Sequence, residues 1–277
     1  MHYSSADHQT YNQLPDVLVA DKKLTSLGRT KVLDSLSKTI LKYNLENVVG
    51  IRLLHNHNTI APDEIMLEQE EINEAGEYCL STIATNKNDA HTQGCANSWM
   101  LGARTLTPLE FSVDPAVTTD SGSAIANQQF LREFYQDLVT LDAADILGPC
   151  VINRSFYKER MPAVADDILL VETTDAVRKA NVLRFRNSAE YKPEQLIETT
   201  WMATDPKENE EEKENGPDRK LVFYCRVGQC TPTCAVIIHC EDQDGQHLST
   251  SRHEKQLHWK EHIKTVVPPD QLPPAEA

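Results

Sequence analysis

The sequence predicts an α+β fold in which a mostly antiparallel sheet packs against two principal helices. Two long stretches repeat apolar side chains at the spacing of a helix. Several short segments rich in Val, Ile, Leu and aromatic residues are bounded by turn-forming residues, which favours roughly six to nine strands. Only 10 of the 277 residues are glycine. The sequence has no glycine-rich phosphate loop, which argues against a doubly wound nucleotide-binding fold.

The two helices are predicted over residues 24–45 and residues 128–147, where apolar side chains recur every three to four positions. The dipeptide Gly148-Pro149 is expected to end the second helix, because proline cannot continue it. Residues 118–126, between the two helices, are expected to form a loop.

The strand of greatest interest is predicted over residues 47–58. Because successive side chains of a strand point to opposite faces, Leu53, His55 and His57 share one face. Residues 64–68 are predicted to return as the second strand of a hairpin that carries both histidines at its mouth. Further strands are predicted at 98–101, 109–113, 168–172, 181–186, 195–203 and 220–227, and the last two are suited to pair with each other.

The domain organisation follows from two segments that lack apolar residues or are rich in proline. The expected arrangement is a flexible N-terminus at 1–22, a single α+β domain at 23–266 with a disordered acidic loop at 205–219, and a Pro-rich tail at 267–277. The alternative is a main domain at 23–204 followed by a separate Cys/His module at 220–262. No internal repeat is evident in the sequence.

The net charge of −15, from 42 acidic and 27 basic side chains, disfavours binding to nucleic acid, which requires a cationic surface. No apolar run approaches the ~20 residues that a membrane-spanning helix needs. The N-terminal sequence lacks the features of a secretory signal, so a reducing, cytoplasmic location is expected. In that compartment the 7 cysteines are expected to be thiols or metal ligands rather than disulfides.

Four of the cysteines and five of the histidines lie between Cys225 and His262. One spacing in this stretch is that of a two-Cys, two-His zinc site, with the ligands Cys230, Cys234, His247 and His253. A second spacing uses Cys234, Cys240, His253 and His258. Neither has the aromatic and leucine core of a DNA-reading finger. The alternative is that the cysteines are small apolar residues of strands and the histidines lie on a solvated surface.

His55 and His57 are the second candidate site, because a His-x-His pair on a strand places both imidazoles on the same side. Such a pair can bind a metal together with a carboxylate, which Glu64 or Glu68 would supply from the next strand, or can act as acid and base. The alternative is that both rings pack in the core and form hydrogen bonds to the backbone.

The segment Val49-Gly-Ile-Arg-Leu-Leu-His-Asn-His57 follows an amphipathic helix and precedes an acidic strand, and a Cys/His-bearing segment lies near the C-terminus. In these features the chain resembles a group of uncharacterised fungal proteins with a Leu-Leu-His-x-His strand motif. The resemblance implies a fungal, intracellular protein and no particular activity.

Three functions are consistent with these patterns. The first is an intracellular metal-binding protein in which zinc has a structural role. The second is a small-molecule enzyme of fungal specialised metabolism that uses His55 and His57. The third is a non-catalytic interaction protein whose acidic loop contacts a basic partner. A small molecule or a protein is therefore the expected partner, and neither nucleic acid nor a membrane is expected.

Overall fold

In the computed structural model, the described residues are 1–3, 6–88, 94–160, 168–191, 196–203 and 223–226. Their strands are β1 (His2–Tyr3), β2 (Val49–Leu53), β3 (Glu64–Ile72), β4 (Tyr78–Asn86), β5 (Cys95–Leu101), β6 (Thr105–Ser112), β7 (Leu147–Val151), β8 (Ile168–Asp175), β9 (Ala180–Asn187), β10 (Leu196–Met202) and β11 (Phe223–Arg226). They form one curled, mostly antiparallel sheet in the order β1-β6-β3-β4-β9-β8-β11-β10-β2-β7-β5. The predicted α+β class is confirmed.

The described helices are α1 (His8–Asn12), α2 (Val17–Ser26), α3 (Arg29–Lys42), α4 (Pro115–Ala126), α5 (Gln128–Thr140) and α6 (Ser155–Arg160), with a 3-10 turn at Ser188–Glu190. Four of them have ten or more residues, so the expectation of two principal helices was too low. None of the described helices is long and apolar enough to span a bilayer.

The predicted helix over 24–45 is in fact two helices that meet at Gly28. The φ angle of Gly28 is 84°, a left-handed conformation that glycine adopts without a steric penalty, and the chain changes direction there. The predicted loop at 118–126 is also wrong, because these residues belong to α4. Pro115 occupies the first turn of that helix, and the Asp114 side chain caps it by accepting a hydrogen bond from the Ala116 amide.

The second predicted helix ends at Thr140, earlier than expected, and Gly148-Pro149 lies inside strand β7. A Cβ atom at Gly148 would collide with the backbone oxygen of Trp99 on β5. The glycine therefore permits a close approach of two strands and does not stop a helix.

The main hydrophobic core lies between helices α2–α5 and one face of the sheet. The β2 side chains Val49, Ile51 and Leu53 face this core and are fully buried, as are Phe130 and Phe134 of α5. Each such side chain contributes about 1.5–3 kcal/mol on burial, which fixes β2 firmly against the helices. The intervening residue of β2, Arg52, points to the opposite face of the sheet.

The predicted hairpin of β2 with the strand at 64–68 is wrong. Strand β2 pairs with β7 and β10, whereas β3 pairs with β4 and β6. The chain leaves the sheet after Leu53, because the Asn56 amide donates to Pro15 and the Ile60 amide donates to the Asn12 side chain. Residues 54–60 are thus held against α1 and do not turn back along β2.

The sheet repeats one topology twice. Apart from the pair of β1 with β6, the set of pairings, parallel or antiparallel, is unchanged when the first half of the sheet, β2–β6, is exchanged with the second half, β7–β11. Two hydrogen bonds correspond in the same way, from Leu54 to Ile146 and from Ile152 to Val48. Gly50 of β2 and Gly148 of β7, the central pair of strands, also correspond. A Cβ atom at Gly50 would collide with Ile152 and Trp201, and one at Gly148 would collide with Trp99, so each glycine permits close contact with the other half of the sheet.

The structure describes most of the N-terminal region and only a short part of the C-terminal region. Residues 1–22 include α1 and the start of α2, and Tyr11 in this segment is buried. Strand β11 pairs antiparallel with β10, as predicted for 220–227 and 195–203. The acidic loop at 205–219, the Pro-rich tail at 267–277 and the rest of the Cys/His segment lie outside the described residues.

Candidate metal centre

His55 and His57 lie just beyond the end of β2, in the segment that crosses to α1 rather than on the strand itself. Their exposed fractions are 4% and 1%, and their ring centroids are 4.6 Å apart. The predicted proximity of the two imidazoles is therefore confirmed, although it arises from an irregular segment and not from strand alternation.

The carboxylate beside them is Glu172 of β8, which is also buried. The candidate ligand atoms of the three side chains all lie within 4.8 Å of one another. Among the described residues, this is the group of His, Cys, Asp and Glu side chains that can hold a metal ion. Its histidines come from the first half of the sheet and its carboxylate from the second.

The hydrogen bond of His55 determines its tautomer. Nδ1 lies 2.7 Å from the Leu53 carbonyl oxygen, which can only accept, so Nδ1 carries the proton and donates it. Nε2 then has a free lone pair, and it is buried with no hydrogen-bond partner in the described structure. Burial chiefly, followed by the charge of His57, lowers the pKa of His55 to about 3. His55 is consequently neutral at physiological pH.

His57 is oriented by a hydroxyl group on the neighbouring strand. Its Nδ1 lies 3.1 Å from Thr174 Oγ1, and its Nε2 lies 3.4 Å from Glu172 Oε2, which is longer than an ordinary hydrogen bond. Thr174 and Glu172 are two positions apart on β8 and so lie on the same face. One strand thereby supplies both the carboxylate and the group that orients the ring.

Glu172 is held in its ionised form. Burial alone raises the pKa of this carboxyl group, but its interaction with the nearby His57, followed by the charge of Arg52, outweighs that effect and lowers the pKa to about 2. A buried carboxylate that keeps its charge requires a cation close by.

Two further ion pairs occupy the same face of the sheet. Arg52 contacts both oxygens of Glu110 at 2.9 and 2.8 Å, and Arg154 Nε lies 2.6 Å from Glu68 Oε1. Together with Glu172, these groups carry two positive and three negative formal charges. Arg52 is the partner of Glu110 and Arg154 is the partner of Glu68, whereas Glu172 faces the two imidazoles and has no arginine or lysine partner among the described residues.

A small cavity adjoins the group. Its volume is about 40 Å³, and its wall includes Arg52, Glu68, Arg154, Tyr157 and Glu172. This space holds a few water molecules or a ligand of a few heavy atoms. Glu172 thus has the histidines on one side and a polar cavity on the other.

The carboxylates that the sequence suggested as partners of the histidines are engaged elsewhere. Glu64 accepts a hydrogen bond from the Ala61 amide and contacts Lys179, and Glu68 is paired with Arg154. The sequence did carry a signal for Glu172, because it is the single acidic residue in an apolar strand segment, Ile168-Leu-Leu-Val-Glu172. The predicted zinc ligands Cys230, Cys234, His247 and His253 lie outside the described residues.

No family model, curated protein or solved structure matches this chain.

Proposed function

We propose that this protein binds a divalent transition metal ion through His55, His57 and Glu172. The observation that carries the proposal is that both imidazole Nε2 atoms are buried beside the buried, ionised carboxylate of Glu172 and have no hydrogen-bond partner among the described residues. Two imidazoles and one carboxylate are a donor set that zinc and other first-row metal ions bind.

The spacing of the three groups is close to that of a coordination sphere. Ligand atoms at ~2.1 Å from a tetrahedral metal ion are about 3.4 Å apart. His57 Nε2 and Glu172 Oε2 are already 3.4 Å apart, and the whole group lies within 4.8 Å. A shift of roughly 1 Å in the His55 ring completes the arrangement.

The outer contacts of the histidines also fit a metal site. Metal-binding histidines usually direct the second ring nitrogen to a backbone carbonyl or another polar group, which fixes the ring and leaves the other nitrogen free to ligate. Leu53 O performs this role for His55, and Thr174 Oγ1 does so for His57. A divalent ion also supplies Glu172 with a cation, which none of the described arginine or lysine side chains does.

The role of the metal follows from the number of protein ligands. Structural zinc sites are closed by four protein ligands, whereas catalytic sites have three and an exchangeable position. The described group has three ligands. We therefore place the metal in a reactive role rather than the structural role first expected from the sequence.

A metal-dependent small-molecule enzyme is the second candidate function, because the polar cavity shares Glu172 with the metal group. His55 by itself is a poor general base, since its pKa of about 3 is far from neutrality. The proposed chemistry thus belongs to the metal and not to a free imidazole. A zinc site at Cys230, Cys234, His247 and His253, and an interaction role for the acidic loop at 205–219, stay predictions.

The test is a zinc titration of the full chain after chelation, followed by calorimetry and by metal analysis of the dialysed protein. One equivalent is expected to bind to the wild type, to His8→Ala and to Cys230→Ser/Cys234→Ser. His57→Ala and Glu172→Gln are each expected to lose at least 100-fold in affinity, because each removes one of three ligands. Circular dichroism checks that both variants fold.

Zinc binding that survives both His57→Ala and Glu172→Gln would contradict the proposed centre. Binding that disappears only in Cys230→Ser/Cys234→Ser would assign the metal to the C-terminal cysteines. The Glu172→Gln variant is the stricter test, since it keeps the shape of the side chain and removes only its charge.

A further inference from the structure

A groove of about 430 Å³ lies where helices α1 and α2 meet the ends of strands β5 and β7. The apolar part of its wall is formed by Leu14, Pro15, Val19, Met100 and Ile146. Val19 is 59% exposed, so apolar surface is open to solvent inside a concave site. A volume of this size is typical of binding sites for small molecules.

Hydrogen bonds hold the floor of the groove in place. The Pro15 carbonyl oxygen accepts a hydrogen bond from the Asn56 amide at 3.1 Å. The Ile146 carbonyl oxygen accepts one from the Leu54 amide at 2.8 Å. These contacts attach the floor to the segment on both sides of His55. A ligand would therefore meet a preformed surface, which lowers the entropic cost of binding.

One end of the groove is polar and has an excess of carboxylate groups. Lys23 and Asp145 both line it. Lys23 Nζ lies 2.7 Å from Asp145 Oδ1 and 3.6 Å from Asp142 Oδ2, so one ammonium group is shared by two carboxylates. The Asp145 side chain is 61% exposed, which leaves room beside it for a second cation.

The wall and the charge together specify an amphipathic cation as the ligand. The apolar wall favours an aliphatic body, because each methylene group that leaves water contributes favourably to binding. The excess carboxylate favours a positively charged end, whereas an anionic end would be repelled by Asp142 and Asp145. The net charge of −15 attracts a ligand of the same sign at longer range.

We propose that this groove binds a small aliphatic amine, with its ammonium group beside Asp145 and its hydrocarbon chain along Leu14, Val19 and Ile146. The site is separate from the metal centre, because none of the described residues that line it is a histidine or Glu172. The inference consequently does not depend on the presence of a metal ion.

The experiment is a calorimetric titration of the full chain with n-hexylamine at pH 7, at low ionic strength and in the presence of a chelator. Saturable binding of one equivalent is expected. Butylamine is shorter by two methylene groups and should bind roughly 15-fold more weakly, because each buried methylene group is worth about a factor of four. Hexanol should bind roughly 2-fold to 5-fold more weakly than hexylamine, since it lacks the ion pair, and hexanoate should bind more weakly still.

Two substitutions at the polar end are expected to act in opposite directions. Asp145→Asn should weaken hexylamine binding roughly 2-fold to 5-fold, because it removes the carboxylate that faces the ammonium group. Lys23→Met should strengthen binding by a similar factor, since it frees the two carboxylates and keeps an apolar stem. Asp34→Asn is the matched control, because it removes one exposed carboxylate from α3 outside the groove, and it should bind hexylamine as the wild type does.

Absence of saturable hexylamine binding overturns the inference. Hexanoate that binds as tightly as hexylamine, or weaker amine binding by Lys23→Met, overturns the cationic class of the ligand. Equal amine affinity in the wild type, Asp145→Asn and Lys23→Met also overturns it, because the amine would then bind elsewhere. Since the protein is kept free of metal, a failure of zinc binding leaves each of these outcomes unchanged.

Discussion

The two halves of the sheet use different cations to balance equivalent carboxylates. Glu68 and Glu172 occupy corresponding positions on β3 and β8, since each lies beside a parallel strand in the same register. Glu68 is paired with the guanidinium group of Arg154, whereas Glu172 faces the neutral ring of His55 and the ring of His57. Glu68 thus has a permanent cation beside it, whereas Glu172 and the two histidines offer ligands to an external cation.

This difference shows how one topology accommodates both a permanent ion pair and a candidate metal site. In each half the partner comes from the segment just after the central strand of the other half: Arg154 is six residues beyond Gly148, and His57 is seven beyond Gly50. A buried carboxylate next to a fixed guanidinium is satisfied at all times. A carboxylate next to two imidazoles has no permanent cation and can share a metal ion with them.

The largest expected effect comes from removing the permanent cation. Arg154→Met should lower the free energy of unfolding by about 3–5 kcal/mol, because Glu68 is left buried without a partner. Urea denaturation measures this loss. Adding Glu68→Gln to the same chain should recover most of it, since the unpaired charge is then gone. A loss under about 1 kcal/mol would mean that water reaches Glu68.

Metal removal should affect the site at Glu172 and leave the pair of Arg154 and Glu68 unchanged. At a free zinc concentration 100 times the dissociation constant, the wild type should be about 2.7 kcal/mol more stable than in chelator. His57→Ala and Glu172→Gln should gain at most about 0.4 kcal/mol from the same zinc concentration, and Arg154→Met should keep the full dependence. Thermal or urea unfolding with and without zinc measures the difference, and a larger zinc effect in Glu172→Gln would remove the contrast between the halves.

The third-largest effect is expected from acid, which should lower the stability of the metal-free protein through His55. Below pH 6.5 an imidazole of the unfolded chain takes up a proton, whereas the pKa of about 3 keeps His55 neutral in the folded chain. The contribution of His55 is thus complete above pH 6.5 and is lost as the pH falls toward 3. Between pH 6.5 and pH 5 the loss should be about 2 kcal/mol.

The measurement is urea unfolding of the metal-free wild type and of His55→Gln at pH 7, 6 and 5. The stability of the wild type should fall more steeply with acid than that of His55→Gln. The corresponding residue of the second half, five positions beyond Gly148, is Asn153, which does not titrate. Parallel pH profiles for the two proteins would show that His55 is not buried in its neutral form.

The smallest expected effect concerns the orientation of His57. Thr174→Val removes the hydroxyl group beside Nδ1 and should weaken zinc binding about tenfold, with a minor effect on stability. Thr173→Val is the control, because Thr173 is adjacent in sequence but its hydroxyl group contacts Val182 and Arg184. Equal losses of zinc affinity in both variants would indicate a general effect on β8.

The elements that could be predicted from the sequence are those with a strong local pattern. Most strands were placed within a few residues, because runs of β-branched and aromatic side chains reflect local burial. Gly148-Pro149 was wrongly predicted to end a helix. Its glycine is required because the backbone of Trp99 lies close to it, and that residue is almost 50 positions away in the chain. The repeated topology was not visible either, because it is preserved in strand pairing and hardly in residue identity.

Only the histidines of the candidate site could be predicted, because only they are linked by a local sequence pattern. His55 and His57 are neighbours in sequence, so their spacing indicated a pair. Glu172 is contributed by β8, 115 residues after His57, and nothing in the local pattern connects the two. Glu64 and Glu68 were chosen because they follow closely in the chain, but β3 is not adjacent to β2 in the sheet.

The division of the site between the halves has a consequence for assembly of the chain. Neither half contains a complete set of ligands, and each glycine of the central strand pair fits only against the other half. A metal ion at the proposed centre would therefore bind only after both halves have docked, late in folding, because contacts so distant in sequence close slowly. Metal binding would then indicate that the whole sheet has formed, because an incompletely folded chain would not hold the ion.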